Sequence, residues 1–421
     1  MTEAASPAEK KVADASWLNQ SLRPITEVDL ADVDRLSTGL PEVDRLLGGG
    51  LVPGGVVLFG GEPGIGKSTL LLQLANQLSM HAGRVLYVSG EEAEHQVKLR
   101  ASRLGVNSEQ LFLLSEQSSK RIAAAVEELD PRILIVDSIQ TTRDPEIAGE
   151  AGSVRQMREI CGALIQLTKS RGMATFLVGH ITKEGSFAGP KMVEHLVDVA
   201  LYLEGSRSED VRMLRSVKNR FGATHEVAVF QMTAGGLVEV DDPSRFFLGD
   251  GEHSGQPGSV FVPVLEGSRP ILVEMQALVS PTGGYGVPQR RCTGLDVNRV
   301  QLLLAVIEKH MGVQIGGADV YLSLAGGLDV REPGTDLGVV AAVISSLRNR
   351  PVPERMAVVG EVGLSGAVRS VRRLKERIAE AGKLGIETIV VPAGTRQTKH
   401  DGAEVIGVER VGQAMEALGL S

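Results

Sequence analysis

The sequence predicts an α/β protein with two domains, and three observations support this. Aromatic residues make up only 3% of the 421 residues, so the cores must be built from aliphatic side chains. Apolar runs such as 132–137 and 388–392 are typical of strands buried on both faces of a parallel sheet. Strand-like runs alternate with helical patterns along most of the chain. A chain of this length accommodates two domains with separate cores.

The first domain is predicted over residues 36–248, after a flexible tail over 1–35 that mixes small and charged residues without a sustained period. Its predicted helices and parallel strands are a short helix at 39–47, a strand at 56–60, a helix at 68–82 and strands at 84–89, 133–136 and 174–178. Short strands at close spacing are predicted to extend this sheet with antiparallel pairing, at 200–204, 212–217, 226–233 and 237–240.

The second domain is predicted over residues 249–421, after a segment at 246–258 that is rich in Gly, Asp, Ser and Pro. Its predicted strands lie at 258–266, 270–279, 319–324 and 388–391, and its predicted helices at 298–312, 336–349 and 374–384.

Charge and targeting features limit the class of protein. The net charge of −8 neither requires nor excludes nucleic acid, because a local positive lining is enough to bind it. The first twenty residues show no signal peptide, and no uncharged apolar run reaches about 18 residues. These features predict a cytoplasmic protein without a membrane span. Cys161 and Cys292 are too few for a four-cysteine zinc site and are predicted to be unrelated buried thiols.

A phosphate-binding loop is the sharpest motif. It follows a predicted strand, opens a predicted helix and fits G-x-x-x-x-G-K-[ST] with the residues Gly61, Glu62, Pro63, Gly64, Ile65, Gly66, Lys67 and Ser68, followed by Thr69. Backbone N–H groups of such a loop surround phosphates, Lys67 is expected on the β/γ oxygens, and Ser68 is expected to ligate Mg²⁺. The motif predicts binding of ATP with Mg²⁺.

Acidic residues follow two of the predicted strands. Asp137 ends the apolar run 132–137 and is the candidate for the Mg²⁺ side, although an acid there also serves as a helix N-cap. Glu91 and Glu92 are candidates for orienting and deprotonating water, since the carboxyl ends of parallel strands share one edge. An acid in the first turn of a helix stabilises that helix as well. His180 is a candidate sensor of the γ-phosphate, and a structural role is its alternative.

The chain then resembles a known family. The residues at 36–40 and 47–51 together with the loop resemble the opening of RecA-superfamily ATPases, and KaiC-like proteins share that pattern. The run Lys218–Gly222 resembles the K-N-R-F-G signature of the bacterial RadA family of DNA repair ATPases. The segments at 89–92, 179–185 and 194–198 also resemble that family, and the resemblance covers residue 36 to the C-terminus. It implies a RecA-like P-loop NTPase core.

The second domain is similar to the proteolytic domain of Lon. Residues 334–338 resemble the Lon segment with the nucleophilic serine, and 373–376 the segment with its lysine partner. Asp336 stands at the serine position and Lys375 at the lysine position. A carboxylate beside an ammonium is expected to form an ion pair, so peptidase activity is not expected. RadA proteins usually open with a four-cysteine zinc motif; no cysteine precedes Cys161 here, through truncation or loss, and no zinc site is assigned.

The resemblance implies a homo-hexamer with nucleotide between subunits. Lys218 and Arg220 are then expected to reach the γ-phosphate of the adjacent subunit, with a solvated charge cluster as the alternative. Loops at 140–154 and 184–191 resemble DNA-contacting loops. They place Arg143, Arg155, Lys183 and Lys191 as candidate ligands of single-stranded DNA, or as ordinary surface charges.

The leading hypothesis is a DNA-dependent ATPase, a hexameric translocase or helicase that promotes branch migration of recombination intermediates during DNA repair beside the RecA recombinase. A KaiC-like signalling ATPase is one alternative, and an ATP-dependent protease is another.

Overall fold

The computed structural model describes Thr26 and residues 34–180, 192–205, 210–248, 255–283, 287–325, 328–394 and 402–421. Two large sheets organise these residues. The helices of the first part are α1 (Pro41–Leu47), α2 (Lys67–His81), α3 (Glu94–Arg103), α4 (Ser119–Leu129), α5 (Val154–Arg171), α6 (Met192–Leu196) and α7 (Pro243–Leu248).

The first sheet has nine strands: β1 (Val56–Gly61), β2 (Val85–Ser89), β3 (Leu111–Ser115), β4 (Ile133–Asp137), β5 (Ala174–His180), β6 (Val199–Glu204), β7 (Val211–Asn219), β8 (Val227–Thr233) and β9 (Gly236–Glu239). Their spatial order is β3-β2-β4-β5-β1-β6-β7-β8-β9. Strands β1 to β6 pair in parallel, so their carboxyl ends share one edge. Aliphatic cores cover both faces of the sheet, as the continuous apolar runs predict.

The direction of β6 corrects one prediction. The segment 200–204 was expected to pair antiparallel, but β6 runs parallel to β1, with Val57 opposite Val199. The connection from His180 to Val199 is longer than the dozen or so residues that a parallel crossover needs. Antiparallel pairing begins only at β7, which follows β6 after a short connection.

The second sheet contains β10 (Ser259–Glu266), β11 (Arg269–Pro281), β12 (Arg290–Thr293), β13 (Ala318–Leu324), β14 (Met356–Val358), β17 (Thr388–Pro392) and β18 (Glu404–Val408), in the order β12-β13-β11-β10-β14-β17-β18. Strands β15 (Glu361–Val362) and β16 (Val368–Arg369) form a separate ribbon. The helices are α8 (Val297–Met311), α9 (Asp336–Arg348), α10 (Leu374–Lys383) and α11 (Val411–Ala417). Helix α9 packs on β10 and β11, and α7 also packs on β11.

Candidate nucleotide site

The phosphate loop joins the end of β1 to the start of α2. Gly64 and Gly66 have φ values of +78° and +117°, which side chains rarely adopt. The loop therefore requires glycine at position 66, and it leaves the N–H groups that open α2 directed at its concave side.

Lys67 fills this loop with its own ammonium group. Its side chain is buried, and Nζ donates to the carbonyl oxygens of Gly61 and Glu62, both at 2.9 Å. Burial lowers the pKa of Lys67 to about 8, although the carboxylates of Asp137, Glu91 and Glu62 oppose that shift. Bound phosphate oxygens would replace the two carbonyls as acceptors and would favour the charged amine.

Asp137, at the end of β4, supplies the acidic side of the site. It is 8% exposed, and it accepts hydrogen bonds from the Tyr87 hydroxyl at 2.7 Å and from the Ser68 hydroxyl. Burial raises the pKa of Asp137, and these two hydrogen bonds oppose the rise. A hydroxyl and a carboxylate side by side at the end of a phosphate loop are the oxygen donors that Mg²⁺ prefers, so the residues present fit that ion.

Glu91 is connected to Lys67 through His180. The Lys67 Nζ atom lies 3.0 Å from His180 Nδ1, and His180 Nε2 lies 2.9 Å from a Glu91 carboxylate oxygen. An ammonium group only donates, so Nδ1 is the acceptor and Nε2 carries the proton that Glu91 accepts. The Ser138 hydroxyl donates to the same oxygen. The His180 hydrogen bond is the largest cause that lowers the pKa of Glu91 to about 2, so this carboxylate is ionised at neutral pH.

Glu92 points elsewhere, although sequence alone treated the two acids alike. Its carboxylate lies 2.5 Å from Arg100 Nη2, on α3. The structure brings Glu91 to the phosphate loop and turns Glu92 away from it. Tyr87 and Ser138 are polar neighbours that the sequence analysis missed. A tyrosine inside an otherwise apolar strand is the one signal that could have found the first of them.

Lys218 and Arg220 lie at the opposite edge of the sheet. Because β7 runs antiparallel to β6, its last residue Asn219 faces Val199 at the start of β6. Arg220 N donates to the Asp198 carbonyl and Arg220 Nη1 to the Asp198 carboxylate, both at 3.0 Å. A strand of this length spans about 17–20 Å, which separates Arg220 from the phosphate loop of its own chain.

The two basic residues differ in how firmly they are held. The Lys218 ammonium donates to three carbonyls, at 2.8–3.0 Å, of Glu194, His195 and Val197 around the end of α6. Burial, followed by the neighbouring Arg220 charge, lowers the pKa of Lys218. The Arg220 side chain is 54% exposed, whereas the Asp198 carboxylate that it pairs with is only 10% exposed. More than half of the Arg220 side chain is therefore accessible to a second molecule.

The candidate DNA loops are only partly described. Arg143 and Arg155 are exposed, while Lys183 and Lys191 lie outside the described residues. The Arg143 backbone pairs with Gln117 and Ser119, which fixes the first loop at its start. Buried Gln156, which the sequence analysis also missed, donates to the carbonyls of residues 144, 147 and 149.

The surroundings of Asp336, at the serine position of the Lon-like domain, differ from those that the sequence predicts. Asp336 is 1% exposed and forms a two-pronged ion pair with Arg299 on α8, with Arg299 Nε 3.0 Å from Oδ1. Val362 N also donates to this carboxylate at 2.9 Å. Lys375 is exposed, so the expected Asp336–Lys375 pair was wrong. A guanidinium matches a carboxylate with two parallel hydrogen bonds, which an ammonium cannot do.

Comparison with known proteins identifies two domains in this chain. A family model described as AAA domain matches residues 22–186, and one described as the Lon protease (S16) C-terminal proteolytic domain matches residues 319–409. The DNA repair protein RadA of Bacillus subtilis (strain 168) is 47% identical over 414 residues, which are 97% of this chain and 90% of that protein. The chain belongs to the RadA family of DNA repair proteins.

A second RadA, from Streptococcus pneumoniae, is 48% identical over 413 residues, covering 97% of this chain and 98% of that protein. Among solved structures, the KaiC-like protein PH0186 of Pyrococcus horikoshii OT3 aligns with a TM-score of 0.42 and 21% identity, over 49% of this chain and 99% of that one. By the two family models, this RadA-family chain combines an AAA-type P-loop ATPase domain with a Lon-like domain. In the part of the chain that the structure describes, no helix is long and apolar enough to cross a membrane.

Proposed function

We propose that this chain hydrolyses ATP with Mg²⁺ between the subunits of a homo-hexamer and uses the energy to move along single-stranded DNA. The movement would extend branched recombination intermediates, beside a RecA recombinase, during DNA repair. The observation that carries the proposal is the position of Arg220, which faces away from its own phosphate loop and is more than half exposed. Such a residue can contact a nucleotide only in another subunit.

Within the proposed mechanism, Lys67 and the N-terminus of α2 bind the phosphates, and the Ser68 hydroxyl and Asp137 carboxylate would hold Mg²⁺. The ion would neutralise negative charge on the phosphates when it is bound. Glu91 orients a water molecule and accepts its proton. The pKa of about 2 belongs to the empty site, where His180 donates to this carboxylate, so Glu91 becomes a stronger base once that hydrogen bond is lost.

His180 couples the two ends of the site. It contacts Lys67 with one ring nitrogen and Glu91 with the other. When a γ-phosphate draws the Lys67 ammonium away from the loop carbonyls, the bond to Nδ1 is lost, and the ring is free to turn. Glu91 then exchanges a histidine donor for water. This arrangement makes the position of Glu91 depend on the presence of the γ-phosphate.

The role of Arg220 in trans is tested by mixing two inactive variants. Lys67→Ala subunits and Arg220→Ala subunits are each expected to lose turnover, and Arg220→Ala is expected to bind ATP normally. In a random 1:1 mixture, roughly a quarter of the subunit interfaces would join an intact Lys67 to an intact Arg220. Recovery of ATPase activity on mixing supports the proposal. Normal turnover by Arg220→Ala alone would show that the residue takes no part.

DNA dependence separates the proposal from a signalling ATPase. We expect single-stranded DNA to raise the ATPase rate, and we expect the effect to fall as salt rises, because phosphate contacts release counterions. A rate indifferent to DNA at every salt concentration would favour the signalling function. Lack of peptidase activity is part of the same proposal, since Asp336 offers no hydroxyl nucleophile. Degradation of casein by the purified protein would contradict it.

A further inference from the structure

The turn that joins β10 to β11 lies directly against the connection between β7 and β8. Gly267 in this turn has a φ of +61°, and a Cβ there would lie 1.7 Å from the His225 carbonyl oxygen. No side chain fits in such a gap. The second domain therefore touches the first through a backbone-to-backbone contact, five residues beyond Arg220.

Side chains on both sides of this contact reinforce it. The Ser268 hydroxyl and the Arg45 guanidinium both donate to the Glu226 carboxylate. Arg269 Nη1 reaches the Glu42 carboxylate on α1 at 2.7 Å. The Glu42 and Glu226 side chains are only 15% and 17% exposed, so solvent screens these pairs less than it screens a surface pair.

Helix α1 contacts the β7–β8 connection at its other end, where the chain leaves β7. Asn219 Nδ2 donates to the Leu46 carbonyl at 2.9 Å, and Arg35, which binds the Leu47 carbonyl, donates to the Phe221 carbonyl at 2.9 Å. A Cβ at Gly222 would lie 2.9 Å from the Gly48 Cα atom. Residues 219–226 are thus clamped between α1 and the 266–269 turn, and Arg220 lies inside the clamped segment.

We propose that the 266–269 turn of the Lon-like domain is a positioning element for Arg220. The second domain then sets the rate of ATP turnover without contacting the nucleotide. This inference rests on the proposed function of Arg220 in trans. A displacement of about 1 Å at a catalytic group costs on the order of 100-fold in rate, so a small shift of the segment is enough to be measured.

Two alanine variants distinguish the effect of this contact on turnover from the effect of backbone strain. Gly267→Ala introduces a Cβ into the His225 carbonyl, whereas a Cβ at Gly312, which has a φ of +67°, meets no atom within 4 Å. Both variants carry the same left-handed backbone penalty. We expect Gly267→Ala to lower kcat by 10- to 100-fold, with an unchanged Kd for a non-hydrolysable ATP analogue. Gly312→Ala should stay within about twofold of the wild type.

A side-chain variant decides the matter if Gly267→Ala does not fold. Arg269→Ala removes the Glu42 contact, and Arg269→Lys keeps the charge. We expect the alanine variant to lose turnover, and the lysine variant to recover part of it, at equal nucleotide affinity. If Arg220→Ala turns over normally, the proposed function fails. If Arg220→Ala is inactive while Gly267→Ala or Arg269→Ala behaves as Gly312→Ala does, the positioning role alone is overturned.

Discussion

The lowered pKa of Lys67 predicts that ATP affinity depends on pH in the alkaline range. In the empty site the amine has a pKa of about 8, because burial outweighs the attraction of Asp137 and Glu91. A bound triphosphate favours the charged amine and raises that pKa, so binding takes up a proton once the free amine is deprotonated. The sign is therefore fixed: affinity is full well below pH 8 and falls as the pH rises through 8.

The size of the effect follows from the same value. The free amine is about nine-tenths charged at pH 7, half charged at pH 8 and one-tenth charged at pH 9, so the Kd should rise about tenfold between pH 7 and pH 9. The assay is titration with a fluorescent, non-hydrolysable ATP analogue and Mg²⁺ at constant ionic strength. Lys67→Arg is the matched control, because a guanidinium stays charged throughout this range.

A Kd that stays flat from pH 7 to pH 9 in the unaltered protein would refute this reasoning. It would mean that the ammonium group of the empty site is as well solvated as a surface lysine. A rise of equal size in Lys67→Arg would instead assign the pH dependence to another group.

Two further predictions concern single carboxylates. Glu91→Gln should lower kcat by about 10²- to 10⁴-fold at unchanged nucleotide affinity. Glu92 faces α3, so the kcat of Glu92→Gln should stay within about twofold of the wild type. Equal losses in the two variants would contradict the assignment of Glu91 as the carboxylate that acts on water. Asp336→Asn should lower the free energy of unfolding by about 1–3 kcal/mol in urea, since it weakens a buried charge-assisted pair. Asp329 is the control, because it pairs with Arg331 on the surface and both side chains are more than half exposed. Asp329→Asn should lower the free energy of unfolding by less than about 0.5 kcal/mol.

The parallel core and the phosphate loop could be predicted because their signals are local. Four apolar strand patterns and one glycine-rich loop lie in short windows, and each keeps its meaning in the folded chain. Strand β3 was missed for the opposite reason. β3 lies at an edge of the sheet and is only half buried, so its pattern at 111–115 resembles neither a core strand nor a clean alternation.

Pairings between distant residues could not be predicted. Glu91 and Glu92 are adjacent in sequence, and only the position of Arg100 on α3 and of His180 at the end of β5 decides which one reaches the loop. The partner of Asp336 is Arg299, 37 residues earlier, and not the lysine that a family motif suggests. Charge type predicts that a buried acid will be paired, but the fold alone chooses the partner.

The direction of β6 shows how one such error would change the mechanism. If β6 ran antiparallel to β1, as the short spacing suggested, β7 would run parallel to β1 and would end at the phosphate-loop edge. Arg220 would then lie beside the nucleotide of its own chain and could act there in cis. Because β6 is parallel, the β6–β7 hairpin carries Arg220 to the start of β6, next to Asp198. A single crossover connection therefore determines whether this arginine lies beside its own phosphate loop, and in this chain it lies at the opposite edge of the sheet.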